Sequence, residues 1–84
     1  MVKPLRYRDI VVSRKMQLDV ITSMTGPARE SGRRLARYVL SDIAPNKREC
    51  DRIISRIMQA ARRRGEVIAK GHRWYRIARD ENNV

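Results

Sequence analysis

The chain has 84 residues with one Cys, one His and a formal net charge of +11. That length predicts one small domain with a modest core. A single Cys beside a single His makes neither a disulfide framework nor a tetrahedral zinc site, so no metal, no cofactor and a reducing cytoplasmic setting are expected. No apolar run nears the roughly 18 residues of a membrane span, and charges stand where a secretion signal needs an apolar core, so no membrane partner is expected.

Forty-two per cent of the residues are hydrophobic, too many for a disordered basic tail, and with no Phe the core is expected to be built from Ile, Leu, Val, Met and Ala. The charge is uneven: residues 1–45 carry nine Lys/Arg against four acids, and residues 46–79 carry eleven against three. Sixteen of the twenty cations are Arg, whose guanidinium forks onto phosphate or guanine where Lys offers a point charge. An enzyme is not expected, because there is no Gly-rich phosphate loop, no recognisable carboxylate pair and no second His. Cys50 reads as a small core residue and His72 as an exposed turn residue.

Along the chain, residues 1–12 (MVKPLRYRDIVV) read as a basic N-terminal arm whose end, Ile10-Val11-Val12, starts a strand or a helix. Ser13 predicts the cap of a helix reaching about residue 24, with Met16, Val20, Ile21 and Met24 inward, broken by Thr25-Gly26-Pro27. Ser31 predicts the cap of a second helix, with Leu35, Ala36, Val39 and Leu40 inward and Arg33, Arg34 and Arg37 outward. Residues 41–45 form the turn that follows.

The third helix carries the most signals. Asn46 is a good N-cap, and Glu49 stands where a capping box would reach back to it. Cys50, Ile53, Ile54, Ile57, Met58 and Ala61 follow one stripe of a 3.6-residue period. The opposite side holds Arg48, Arg52, Ser55, Gln59 and Arg63, flanked by Arg56 and Arg62. Arg62-Arg63-Arg64 before Gly65 ends the helix near 64, with cations where the helix dipole favours them. Residues 66–70 and 73–78 then read as a two-stranded hairpin turning at Gly71-His72. Alternation sets Tyr75 and Ile77 on the core side with Val67 and Ala69, and turns Trp74 outward with Ile68, unless the twist of the hairpin lets Trp74 cap the core edge.

In this order of elements, residues 13–79 resemble a winged helix-turn-helix domain. The resemblance is carried by Leu35-Ala36 in the second helix, by the apolar stripe of the third helix ending in Arg64-Gly65-Glu66-Val67, and by a wing strand closing in Tyr75-Arg76-Ile77. That ending is also similar to the wings of Z-form nucleic-acid-binding domains, without their Pro-Pro pair. The segment MTGPARES shows no first strand, so the sheet has two strands or three. The expected class is mainly α with a small β-hairpin, a three-helix winged helix-turn-helix over 13–79 with a short polar tail at 80–84.

The resemblance implies a third helix in the major groove of double-stranded DNA and a wing on the backbone or minor groove. Residues near the helix N-terminus reach deepest, here Asn46, Lys47, Arg48, Asp51, Arg52 and Ser55; the expected base readers are Asn46, Lys47, Arg48, Arg52 and Ser55, with Gln59 further along the helix. Arg33, Arg34, Arg37, Arg56, Lys70, His72 and Arg73 are the expected phosphate contacts, which position without specifying. The expected role is a small sequence-specific regulator of transcription or a phage or mobile-element control factor, with a homodimer through the exposed wing or the N-terminal surface left open. The alternatives are an RNA-binding or ribosome-associated basic protein, or a protein-interaction winged helix within a larger assembly.

Overall fold

Period-two alternation organises the first elements. In the computed structural model, which describes residues 3–26 and 29–77, β1 (Leu5–Tyr7) pairs antiparallel with β2 (Ile10–Val12). Leu5 stands opposite Val12 and Tyr7 opposite Ile10, so these four side chains share the inner face while Arg6 and Val11 share the outer one. Tyr7 and Val12 are buried. The basic arm expected over 1–12 is therefore corrected, for its described part, to a packed hairpin, and Ile10-Val11-Val12 is a strand. A lone two-stranded hairpin is marginal in water. This one is tied down by Gln17 on α1 (Arg14–Met24), a fully buried side chain whose Nε2 donates to the Lys3 carbonyl at 2.7 Å and the Val12 carbonyl at 3.1 Å.

Ser13 caps α1 as expected, its Oγ accepting from the Met16 N–H at 3.2 Å. Val20 and Ile21 are buried, and Met16 and Met24 pack at the core edge. The second helix, α2 (Arg29–Val39), begins before Ser31, which is an exposed helical residue and not the cap. At Gly32, inside this helix, an added Cβ would collide with the Ser23 carbonyl oxygen, so the α2 backbone presses onto the last turn of α1 there. The buried stripe of α2 is then Gly32, Ala36 and Leu40 at four-residue spacing. Leu35, expected in the core, is corrected to 56% exposed: with Gly32 set against Ser23, α2 turns only a narrow line toward the core, and Leu35 stands about 100° to the side of Ala36 on that line.

The third helix, α3 (Lys47–Arg63), buries all six residues of its apolar stripe. Asn46 caps it, its Oδ1 accepting from the Glu49 N–H at 2.9 Å. The second half of the expected capping box is absent: the Glu49 carboxylate turns to Arg8 at 3.3 Å. Arg64 closes the helix and Gly65 follows with a φ of 77°. The chain then enters β3 (Val67–Lys70) and β4 (Arg73–Arg76), antiparallel, with a further bond from the Ile77 N–H to the Glu66 carbonyl at 2.9 Å.

In this second hairpin Val67 faces in and Ile68 out as expected, whereas Trp74 and Tyr75 exchange the faces that alternation assigned, Trp74 taking the core-edge alternative. Lys70 pairs with Arg73, Ala69 with Trp74, Ile68 with Tyr75 and Val67 with Arg76. A two-residue turn at Gly71-His72 imposes this register, and paired residues share a face. Val67 and Trp74 therefore look inward, Val67 fully buried and Trp74 packed at the core edge. Tyr75 and Ile68 look outward, Tyr75 being 43% exposed. Ile77 is exposed as well.

The described residues thus build three mutually packed helices and two antiparallel hairpins, with no strand between α1 and α2. Among them no helix is long and apolar enough to cross a membrane. Ala78, Arg79 and the tail expected at 80–84 lie outside the described residues.

Candidate functional site

Burying the stripe from Cys50 to Ala61 turns the other side of α3 to solvent. Lys47, Arg48, Arg52, Ser55, Arg56, Gln59, Arg62 and Arg63 are all exposed, so the apolar period of the helix is also what aligns its cations. Asn46 is exposed at the head of this face, with its carbonyl oxygen committed to the cap. The expected base readers are accordingly brought together. Lys47, Arg48, Asp51, Arg52 and Ser55 line one hollow, and Arg52 and Ser55 also line a second groove of about 690 Å³ together with Gln59 and Arg63.

Each flank of α3 is occupied. On one side stands α2, whose Arg37 grips Asp51 with two parallel hydrogen bonds, Nε to Oδ1 at 2.8 Å and Nη2 to Oδ2 at 3.2 Å. Arg33 adds a looser ion pair to the same carboxylate at 3.6 Å. The hydrogen bond from Arg37 holds the Asp51 carboxyl below its ordinary range, and the same bond raises the Arg37 pKa. Arg37, expected on phosphate, has its planar fork turned onto this carboxylate in the free chain, where it ties α2 to α3. Arg34 remains exposed on α2. Beneath this flank, burial pushes the Cys50 thiol up, and its Sγ lies 3.9 Å from the Arg37 carbonyl, as suits a core residue.

Beyond Arg33 comes the tip of the second hairpin. His72, Arg73 and Trp74 close a small cleft against Met24, Gly26 and Arg33. Lys70, Gly71 and His72 are exposed there. Arg76 ties the strand to α1 through Thr22 Oγ1 at 3.4 Å. The turn cations thus lie on the same flank as the start of α2, next to the N-terminal half of α3.

On the other flank stands the first hairpin, which the sequence did not bring to this surface. Tyr7 is only 6% exposed, and the guanidinium carbons of Arg8 and Arg56 each lie 5.4 Å from its ring centroid, within cation–π range. Arg52 is drawn to the same residue, hydrogen bonding with Tyr7 raising its pKa. Arg56, expected as a free backbone contact, is in this way pre-set against an aromatic ring. Tyr7 and Arg8 were missed because no local period links residue 7 to residue 56. The available signal was the apolar alternation Leu5, Tyr7, Ile10 and Val12.

Among the described residues no group of three or more His, Cys, Asp or Glu gathers to hold a metal ion. Comparison of the chain with known protein families, with characterised proteins and with solved structures gives no match in any of the three. What the surface offers chemically is an Arg-rich, acid-poor strip about one helix wide, with cationic elements on either side of it. Such a strip suits recognition of a regularly spaced polyanion.

Proposed function

We propose that this chain is a winged helix-turn-helix protein that binds double-stranded DNA, with α3 in the major groove and the β3–β4 hairpin acting as the wing on the flanking backbone. The observation that carries the reading is the exposed face of α3, where Lys47, Arg48, Arg52, Ser55 and Gln59 stand opposite the buried stripe and the one acid among them, Asp51, is neutralised by Arg37. Arg48 and Arg52 have the fork geometry for guanine, and Gln59 for adenine. Arg33, Arg34, Arg56, Lys70, His72 and Arg73 remain the proposed phosphate contacts, and the biological role is that of a small regulator or mobile-element control factor.

The test combines selection of bound sequences from random duplex DNA with a salt titration. If about five cations meet phosphates, log K falls against log salt with a slope of about −4 to −5. On the selected site Arg48→Ala and Arg52→Ala each cost about 1 to 3 kcal/mol and blunt base preference, whereas Arg73→Ala weakens all sequences alike. A salt-independent affinity, or equal losses on selected and random DNA for all three variants, removes the proposal.

A second reading, a protein contact, is favoured by one observation: Ile68 and Tyr75 are direct cross-strand partners on the outer face of the wing, and both are exposed beside Ile77. Light scattering over a range of concentrations tests it, with Tyr75→Lys abolishing any self-association.

A further inference from the structure

The groove between the first hairpin and α3 has features that neither the core nor α3 alone requires. Four guanidinium groups line it, Arg8 from the hairpin and Arg52, Arg56 and Arg63 from α3, together with Ser55 and Gln59. No carboxylate lines it. The nearby acids are Glu49, which pairs with Arg8, and Asp9 beside Arg8 in the turn, so the cluster keeps an excess of positive charge. Two of these guanidinium groups, Arg8 and Arg56, are held in range of one tyrosine ring, so the groove gathers like charge that a bound anion would offset.

The backbone at Arg8 is the second observation. Arg8 has a φ of 55° and is the only non-Gly described residue in the left-handed region. It sits in the two-residue turn between Tyr7 and Ile10, where a positive φ is ordinarily supplied by Gly, Asn or Asp. Glycine would make the same turn without a Cβ penalty. A long cation held in that conformation, 64% exposed along its side chain and lining the groove, is not what the turn itself requires.

We infer that this groove is a second backbone clamp, in which Arg8, stacked with Arg56 on Tyr7, takes a phosphodiester phosphate of the bound duplex on the side of α3 away from the wing. The inference rests on the duplex-binding reading and adds to it a residue and an element that the winged layout by itself does not supply. The duplex would then be held on both flanks of α3, by the wing tip on one and by the hairpin turn on the other.

The experiment uses the full chain with selected and random duplex DNA, duplex RNA of matching length, and the arginine Nε–Hε resonances as a direct probe. Addition of duplex DNA is expected to shift the Arg8 and Arg56 resonances. Arg8→Gly is expected to keep the unfolding midpoint at or above that of the wild type. The same variant weakens selected and random duplexes alike by about tenfold, with a salt slope shallower by about 0.9. If duplex DNA binds, Arg48→Ala weakens it, and yet the Arg8 resonance stays still and Arg8→Gly binds as the wild type does, the clamp is overturned and DNA binding stands. If Arg8→Gly lowers the midpoint, the wild-type resonances decide: unmoved, they make Arg8 a structural partner of Glu49 and end the inference. Tighter binding of duplex RNA with the same dependence on Arg8 upholds the clamp and overturns the DNA reading. Failure of the wild type to bind either duplex at low salt overturns both.

Discussion

The two hairpins are the same local element used in opposite ways. Each has two short antiparallel strands and a two-residue turn with a positive φ at its first central residue, Arg8 in one and Gly71 in the other. The first sends Tyr7 and Val12 into the core and is pinned through two carbonyls by Gln17. The second buries only Val67, rests Trp74 on the core edge and leaves the rest of its strands exposed. Anchoring explains what each turn can carry. A hairpin held by its own inner face can keep an arginine in a costly conformation, whereas one that projects from α3 relies on glycine.

The largest effect expected from this contrast is at Tyr7. Tyr7→Ala empties a buried aromatic site and is expected to cost about 3 kcal/mol, read as a shift in the urea midpoint at unchanged slope. A negligible shift would reduce the first hairpin to the status of the second. Gly71→Ala comes next, at about 1 kcal/mol. An added Cβ there meets nothing within 4 Å, so the cost is that of the left-handed backbone alone. A neutral outcome would mean that the exposed hairpin shifts its turn freely, which sharpens the contrast with Arg8.

The two flanks of α3 extend the comparison to charge. The Arg8–Glu49 pair toward the first hairpin is a single contact on a well-exposed arginine, whereas the Arg37–Asp51 pair is bidentate on an arginine side chain only 27% exposed. Asp51→Asn is expected to cost about 0.5 to 1 kcal/mol and Glu49→Gln less. The folded-state pKa of Asp51 lies below its unfolded value. Its contribution is therefore fully present above the unfolded value of about 3.9 and is lost as pH falls through the folded one. Thermal unfolding of wild type and Asp51→Asn should thus differ at neutral pH and converge in acid. Parallel curves throughout would show that the lock adds nothing.

The smallest effect belongs to Tyr75. Set on the outer face opposite Ile68, it should tolerate Tyr75→Ala within about 0.5 kcal/mol in the free protein. A loss as large as that at Tyr7 would mean that the second hairpin is buried in solution by a partner or a second copy.

Much of this architecture is written in short-range pattern. The caps at Ser13 and Asn46, the six-residue stripe of α3 and the stop at Arg64-Gly65 follow from side-chain chemistry within a few residues, and they also fix which cations face outward. Leu35 has the spacing that buries Ile53 beside Ile54 on α3, and its exposure depends on which line of α2 meets α1, with Gly32 against Ser23. The faces of Trp74 and Tyr75 have a local cause: the two-residue turn at Gly71-His72 sets the register, which is recoverable from the sequence by geometry alone.

Other features were not. Gln17 reads as a surface residue until two backbone carbonyls, one of them fourteen residues away, are brought to it. Ser31 has the composition of a cap, yet α2 is already helical at Arg29. Arg37 reads as an unpaired cation until Asp51 is brought to its fork. Sequence by itself determined the three helices, the caps at Ser13 and Asn46 and the cationic face of α3, because periodicity and capping act over one or two turns. Only the tertiary structure decided which cations remain available and that Tyr7 and Arg8 join Arg52 and Arg56 across more than forty residues, because the pairing of groups distant in the chain depends on how the packed elements meet and leaves no local period to read.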